Sequence, residues 1–137
     1  MLILKDFSYL VWKDLNILDT FLPSMNKEDI LIKAGKEYFY SGNDEFDKER
    51  YNSAVVLYFK ALISFSDLFV FYETGNTPSS HSERFKITKE RFPDVYNLLD
   101  KDFPFYQSSY VQILSKELAE VIKDDAKAMA DKTETKL

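Results

Sequence analysis

Apolar residues dominate one long stretch in the middle of the chain. Between Asp47 and Glu73 there is no glycine or proline, and apolar side chains recur at spacings of three and one that follow a single helical face. The residues of this face are Tyr51, Ala54, Val55, Tyr58, Ala61, Leu62, Phe65, Leu68, Phe69 and Tyr72. Further apolar residues cover most of the remaining circumference, so the pattern predicts a helix that is buried nearly all round. At about 1.5 Å per residue, such a helix is about 40 Å long and would form the axis of the molecule.

Shorter amphipathic segments flank this central helix. Their spacing predicts helices over Phe7–Leu22, Lys27–Ser41, Ser80–Phe92, Val95–Asp100 and Ser115–Asp131. We expect Ser24 or Asn26 to cap the second of these helices, Gly42 to end it, and the polar residues that follow Gly42 to form a turn.

The later part of the chain carries its own start and stop signals. Gly75 stands where the central helix needs a left-handed cap, and the segment that begins at Ser80 fits a capping box. Pro104 is expected to break the chain, and the tail from Lys132 onwards, which has little apolar content, is expected to fray.

These elements predict an all-α fold, an up-and-down bundle of five or six helices around a long central helix. No segment shows the alternation of a β-strand, and three glycines and four prolines are too few for the turns of a β-sandwich. A length of 137 residues suits a single domain spanning residues 1–137.

Composition excludes several kinds of chemistry. The chain has no cysteine, so disulfides, thiol nucleophiles and cysteine-bound metals are excluded, and a single histidine excludes a multi-histidine metal site. Its glycines form no phosphate-binding loop. The net charge of −5 argues against a broadly cationic nucleic-acid surface. We therefore expect no metal and no cofactor.

The N-terminus lacks the basic start and long apolar core of a secretory signal. In the most apolar stretch, Lys60 and Asp67 interrupt the run well before the roughly twenty residues that a bilayer requires. We therefore expect a cytoplasmic protein without a membrane segment.

One stripe of polar residues runs along the central helix. Ser53, Lys60, Ser64 and Asp67 share a narrow face, with Asn52 beside it. The stripe either faces water or a polar neighbour, or lines a groove in which a buried lysine and aspartate hold a phosphate or a partner's charge.

Two further segments offer candidate chemistry. The helix from His81 to Arg91 has a local excess of positive charge, and His81 and Arg84 share one face near its N-terminus, which suits an anion. Farther along, Tyr106 and Tyr110 lie one helical turn apart and could donate hydrogen bonds or stack on bases. The alternatives are a solvated amphipathic helix and tyrosines wedged between helices.

Two adjoining segments, Ala34–Gly42 and Arg50–Leu62, resemble the first helix pair of HEPN (higher-eukaryote and prokaryote nucleotide-binding) domains. The turn at Gly75, the helix start at Ser80 and a closing helix after an aromatic-rich break extend the similarity, which covers about residues 27–131. In its order of helices and general sequence character, the chain resembles stand-alone archaeal members of this family.

The resemblance implies a helical bundle that forms a homodimer, often beside a nucleotidyltransferase-fold partner or in a toxin–antitoxin pair. Active members are metal-independent ribonucleases whose motif is an arginine, four to six residues, and a histidine. That motif is absent here, because no arginine stands at positions 74–76 before His81, and the segment Phe103–Tyr110 contains neither residue type. Tyr110 stands about where the histidine of the motif, or its common tyrosine replacement, would fall.

The departure argues against catalysis, so we expect no catalytic residue. The leading hypothesis is a non-catalytic, HEPN-like dimer that binds a nucleotide, nucleic acid or protein partner. The candidate binding residues are Lys60, Asp67, His81, Arg84, Tyr106, Tyr110 and Asn52. One alternative is a degenerate ribonuclease that uses His81 and Arg84. A second is a tetratricopeptide-like interaction scaffold, although no second copy of the repeat follows.

Overall fold

The computed structural model describes residues 24–137, and these residues form α-helices and no strand. The helices are α1 (Lys27–Asp47), α2 (Tyr51–Thr74), α3 (His81–Arg91), α4 (Pro93–Ser108) and α5 (Lys116–Lys132). The helix predicted over Phe7–Leu22 lies outside the described residues. Within residues 24–137 the prediction of an all-α helical bundle is confirmed.

The central helix is α2, as its apolar pattern predicts. It packs against α1, α4 and α5. Its fully buried side chains, Tyr58 and Phe65 among them, join Leu99 of α4 and Met129 of α5 in one core. Burial of each such side chain contributes about 1.5–3 kcal/mol before the entropy cost of folding, so this core is the main source of stability.

Among the described residues, α2 is long and apolar enough to span a membrane by length and composition. In the bundle, however, 67% of its most apolar window is buried against other helices of the same chain. Core helices of globular proteins share this composition, because they too are covered by apolar neighbours.

The helix pair α1–α2 is held close by two glycines. A Cβ atom at Gly42 would lie 2.7 Å from the Tyr58 ring, and one at Gly35 would overlap the ring of Phe65. The sequence predicts that Gly42 ends α1, and this prediction is wrong. Gly42 lies buried inside the helix, which continues to Asp47, and the turn falls at residues 48–50, where Glu49 takes a φ of 60°.

The predicted helix ends that depend on capping are confirmed elsewhere. The Asn26 side chain accepts a hydrogen bond from the Asp29 N–H at 2.8 Å at the start of α1. Gly75 follows α2 with a φ of 80°, and its N–H donates to the Phe71 carbonyl. Both residues do what their type favours at a helix end.

Pro104 does not break the chain, and α4 runs through it to Ser108. A proline inside a helix removes the hydrogen bond to the carbonyl four residues earlier. Here Pro104 and Asp100 are both exposed, so water can satisfy that carbonyl.

The C-terminal tail is also ordered rather than frayed. Thr133 and Thr135 are buried, and their hydroxyl oxygens lie 2.8 Å apart. The Thr135 N–H donates to the Ala130 carbonyl at 2.9 Å. Small hydroxyl side chains can be buried when their polar groups form hydrogen bonds. A pattern of apolar residues does not reveal this kind of burial.

Candidate functional site

A cleft of about 410 Å³ lies where α1, α2, α3 and α4 meet. Its volume falls within the range of small-molecule sites. The walls combine aromatic, cationic and hydroxyl side chains. They are Tyr38, Phe59, Lys60, Ile63, Ser64, Ser79, Ser80, His81, Arg84 and Tyr106. Four of the seven predicted site residues, Lys60, His81, Arg84 and Tyr106, therefore line one cavity.

A buried ion pair forms the floor of this site. Arg84 donates from Nε to Asp67 Oδ1 at 2.7 Å and from Nη2 to Asp67 Oδ2 at 2.8 Å. This two-pronged arrangement is the strongest form of an arginine–carboxylate contact. Because Asp67 neutralises Arg84, neither side chain is available as a free charge for a ligand.

The same arginine also contacts the only histidine. Arg84 Nη1 lies 2.9 Å from His81 Nδ1. Guanidinium nitrogens are always donors, so Nδ1 must act as the acceptor, and in the neutral imidazole the proton sits on Nε2. Partial burial lowers the pKa of His81, and the positive charges of Arg84 and Lys60 lower this pKa further, against the opposing effect of Asp67. At pH 7 His81 is therefore neutral.

Lys60 is the exposed cation at the cleft. Its ammonium group lies 5.8 Å from the centre of the Tyr38 ring of α1. Lys60 is exposed rather than buried, so the polar stripe of α2 divides in two. Ser53 and Lys60 face solvent, whereas Ser64 and Asp67 are buried.

The start of α3 brings two serines to the cleft. Ser80 Oγ accepts a hydrogen bond from the Glu83 N–H at 3.1 Å, as the capping box predicts. The Glu83 carboxylate reaches back to Ser79 rather than to Ser80, and accepts from its N–H and its hydroxyl. These hydrogen bonds lower the pKa of Glu83. They fix the turn that carries His81 into the site.

Tyr106 lines the cleft, but Tyr110 lies outside it. The Tyr106 ring stacks on Phe59 with centroids 4.8 Å apart, and its hydroxyl oxygen is 3.1 Å from that of Tyr110. This hydrogen bond, together with burial, raises the pKa of Tyr106. Tyr110 is 74% exposed and borders a second cavity, of about 560 Å³.

Asn52 anchors a loop and does not reach the cleft. Its Nδ2 donates to the carbonyls of Ser109 and Gln112 at 3.0 and 2.6 Å, and its Oδ1 accepts from the Leu114 N–H at 2.8 Å. The amide is thus used in holding the connection between α4 and α5. The polar position beside the stripe was visible in sequence, but its partners, about sixty residues away, were not.

The sequence pattern does not point to a group of charged residues that lies between α4 and α5. Asp102 is fully buried, and neither of its carboxyl oxygens has a hydrogen-bond partner among the described residues. Lys101 Nζ lies 2.8 Å from Asp125 Oδ2 and 3.9 Å from Asp102 Oδ1. Burial first, and then the neighbouring Asp125 carboxyl group, raise the pKa of Asp102 to about 8.

No cluster of three or more histidine or carboxylate side chains suited to a metal ion occurs within residues 24–137. Compared with models of protein families and with curated proteins, the chain matches neither a family nor an individual protein.

Proposed function

We propose that the protein binds a nucleotide or a short stretch of RNA in the cleft, as a non-catalytic, HEPN-like homodimer. The observation that carries the proposal is the convergence of an exposed lysine, a histidine donor and two tyrosines on one cavity. Each of these groups suits one part of such a ligand.

The phosphate is the part that Lys60 and His81 would contact. An exposed ammonium group attracts a phosphate as a point charge, and the His81 Nε2–H adds a hydrogen bond to a phosphate oxygen. Since Asp67 neutralises Arg84, Lys60 supplies the net positive charge among the cleft-lining side chains. A site of this kind binds a phosphate through a few specific hydrogen bonds and one positive charge. It needs no broad basic surface, and this agrees with the net charge of −5.

The base is the part that the tyrosines would contact. Tyr38 and Tyr106 are half-buried in the walls of the cleft. Stacking of a base on an aromatic ring contributes about 1–3 kcal/mol and does not depend strongly on the identity of the base. We therefore propose weak discrimination between bases.

The dimer is supported by an exposed apolar surface in the loop after α4. Tyr110, Val111 and Ile113 are 74%, 81% and 94% exposed. Contiguous exposed apolar side chains are typical of protein–protein contacts. The Asn52 hydrogen bonds hold this loop in place, so a partner would dock on a preformed surface.

Calorimetric titration with uridine monophosphate and a short uridine oligonucleotide tests the binding proposal. Loss of the Lys60 charge should weaken binding at least tenfold in Lys60→Ala, and loss of the donor should do so in His81→Ala. Lys86→Ala, which removes an exposed lysine of α3 outside the cleft, is the matched control. Failure of the wild type to bind either ligand, or equal binding by Lys60→Ala, would contradict the proposal.

Ribonuclease activity by His81 and Arg84 is the second candidate, and the contact between these two residues is the observation in its favour. The same contact places the proton on Nε2 and occupies Nδ1, so the imidazole is a donor and not a free base. RNA cleavage that disappears in both His81→Ala and Arg84→Ala would support this candidate. RNA that stays intact with the wild type would remove it.

The tetratricopeptide-like scaffold gains no support from the helix lengths. In the described residues, α1 and α2 have 21 and 24 residues, whereas α3 and α4 have 11 and 16. Stacked repeats need successive helix pairs of similar size.

A further inference from the structure

We propose that Asp67, acting through Arg84, is the positioning residue that holds His81 as a neutral Nε2–H donor in the cleft. The three side chains form a continuous chain of hydrogen bonds from the interior of α2 to the first turn of α3. Only the use of this donor by a ligand rests on the proposed function, because the proton position is a property of the free protein.

The Arg84 side chain has no freedom to turn. Two of its nitrogens are bound to the two carboxylate oxygens of Asp67, at 2.7 and 2.8 Å, and both side chains are about nine-tenths buried. When a planar guanidinium is held at two of its nitrogens, the direction of the third nitrogen is fixed. That nitrogen, Nη1, lies 2.9 Å from His81 Nδ1.

The contact between Arg84 and His81 selects one form of the imidazole. In the other neutral tautomer and in the imidazolium, Nδ1 carries a proton. That proton would face an N–H group of Arg84, which cannot accept a hydrogen bond. His81 therefore keeps its proton on Nε2. Among the described residues Nε2 has no hydrogen-bond partner, so its N–H remains able to donate to a ligand.

The surroundings of His81 agree with a neutral ring. The titratable and charged side chains in and next to the cleft include Tyr38 of α1, Lys60 and Asp67 of α2, Glu83 and Arg84 of α3, and Tyr106 of α4. Two of these groups are cations and two are carboxylates; Asp67 is paired with Arg84, and Glu83 accepts hydrogen bonds from Ser79. A ligand phosphate would thus meet one free ammonium group and one neutral donor.

Nitrogen-15 NMR tests the inference directly, because the chain has one histidine and its signals need no assignment among several. In the ligand-free wild type at about pH 7, we expect a single form with a protonated Nε2 and an unprotonated Nδ1. An exchanging mixture of tautomers, or a proton on Nδ1, would overturn the inference without any variant being made.

Variants then separate positioning from folding. Asp67→Asn leaves a buried, unpaired arginine and can unfold the protein, so the double variant D67N/R84M removes both charges together. In the double variant we expect a mixture of the two tautomers and a titration midpoint of His81 that moves up toward the ordinary value. Arg91→Met, on the exposed part of the same helix, should change neither quantity. An unchanged His81 spectrum in the folded double variant would overturn the inference.

Titration of the same samples with uridine monophosphate distinguishes this inference from the proposed function. A ligand that shifts the Nε2–H signal of the wild type supports both. A free protein with the expected tautomer, whose spectrum does not respond to ligand, supports the positioning role and contradicts the proposed function.

Discussion

Asp102 is a carboxyl group that folding moves from water into the interior. Burial disfavours its charged form and raises its pKa from 3.8 to about 8, with a contribution from the neighbouring Asp125. Between these values the folded chain holds a proton that the unfolded chain releases. The free energy of unfolding should therefore fall as the pH rises through this window, and level off above it.

Asp102→Asn tests this linkage at the scale of one side chain. The amide has the same shape and no charge to bury, so we expect the free energy of unfolding at about pH 8 to rise by about 1–3 kcal/mol. Its dependence on pH across the window should flatten. Urea denaturation at several pH values measures both effects.

Asp124→Asn, at an exposed position of α5, is the control and should keep the slope of the wild type. A slope in Asp102→Asn as steep as in the wild type would show that another group carries the linkage.

At the scale of single residues, the sequence indicates which side chains are candidates for a binding site, but not which residues they contact. Lys60, His81, Arg84 and Tyr106 stand out by residue type and spacing, and the structure brings them together in one cleft. The pairing of Asp67 with Arg84 joins residues seventeen positions apart on different helices. Spacing within one helix holds no information on such a contact.

Close contact between α1 and α2 depends on two positions without a side chain, Gly35 and Gly42, seven residues apart on one face of α1. Gly35→Ala should lower the free energy of unfolding by about 1–3 kcal/mol, because the new methyl group would overlap the Phe65 ring. Thermal or chemical denaturation measures the change.

A second substitution checks the cause of that loss. Phe65→Leu makes room beside position 35, so the double variant G35A/F65L should be less destabilised than the sum of the two single variants. Additive losses would show that the methyl group and the ring do not compete for space.

The loop between α4 and α5 gives another test at the scale of elements. Asn52→Ala removes three hydrogen bonds to the backbone at 109, 112 and 114, so the loop should loosen. We expect chymotrypsin to cut at the exposed Tyr110 several times faster than in the wild type. Ser53→Ala, at the adjacent exposed position, should leave the cleavage rate unchanged, and equal rates in both variants would contradict the anchoring role.

The presence of the helices was predictable because apolar periodicity is a local property. Two of the predicted helix boundaries, at Gly42 and at Pro104, were wrong. Gly42 has the residue type of a cap, but its place under Tyr58 keeps it inside α1. Pro104 has the residue type of a breaker, but it lies on the exposed side of α4, where the lost hydrogen bond costs little. Both outcomes depend on tertiary position.

For the whole molecule, the proposed dimer predicts a particle of twice the mass of the chain in light scattering. Ile113 is the most exposed large apolar side chain of residues 24–137. An added charge there, Ile113→Asp, should shift the population toward monomer, because burial of an unpaired carboxylate is costly. Asn97→Asp places the same charge at an exposed position of α4 outside this loop and is the control. A wild type that is monomeric at all concentrations would contradict the dimer.

The order in which the chain is made has a consequence for α2. During synthesis the last residue of this helix leaves the ribosome about forty residues before Lys116, the first residue of α5. At about 5–20 residues per second, the apolar surface that α5 covers would stay bare for roughly 2–8 s. We expect ribosome-bound chains stalled within this interval to recruit chaperones that hold apolar segments, and chains stalled after all of α5 has emerged to lose them.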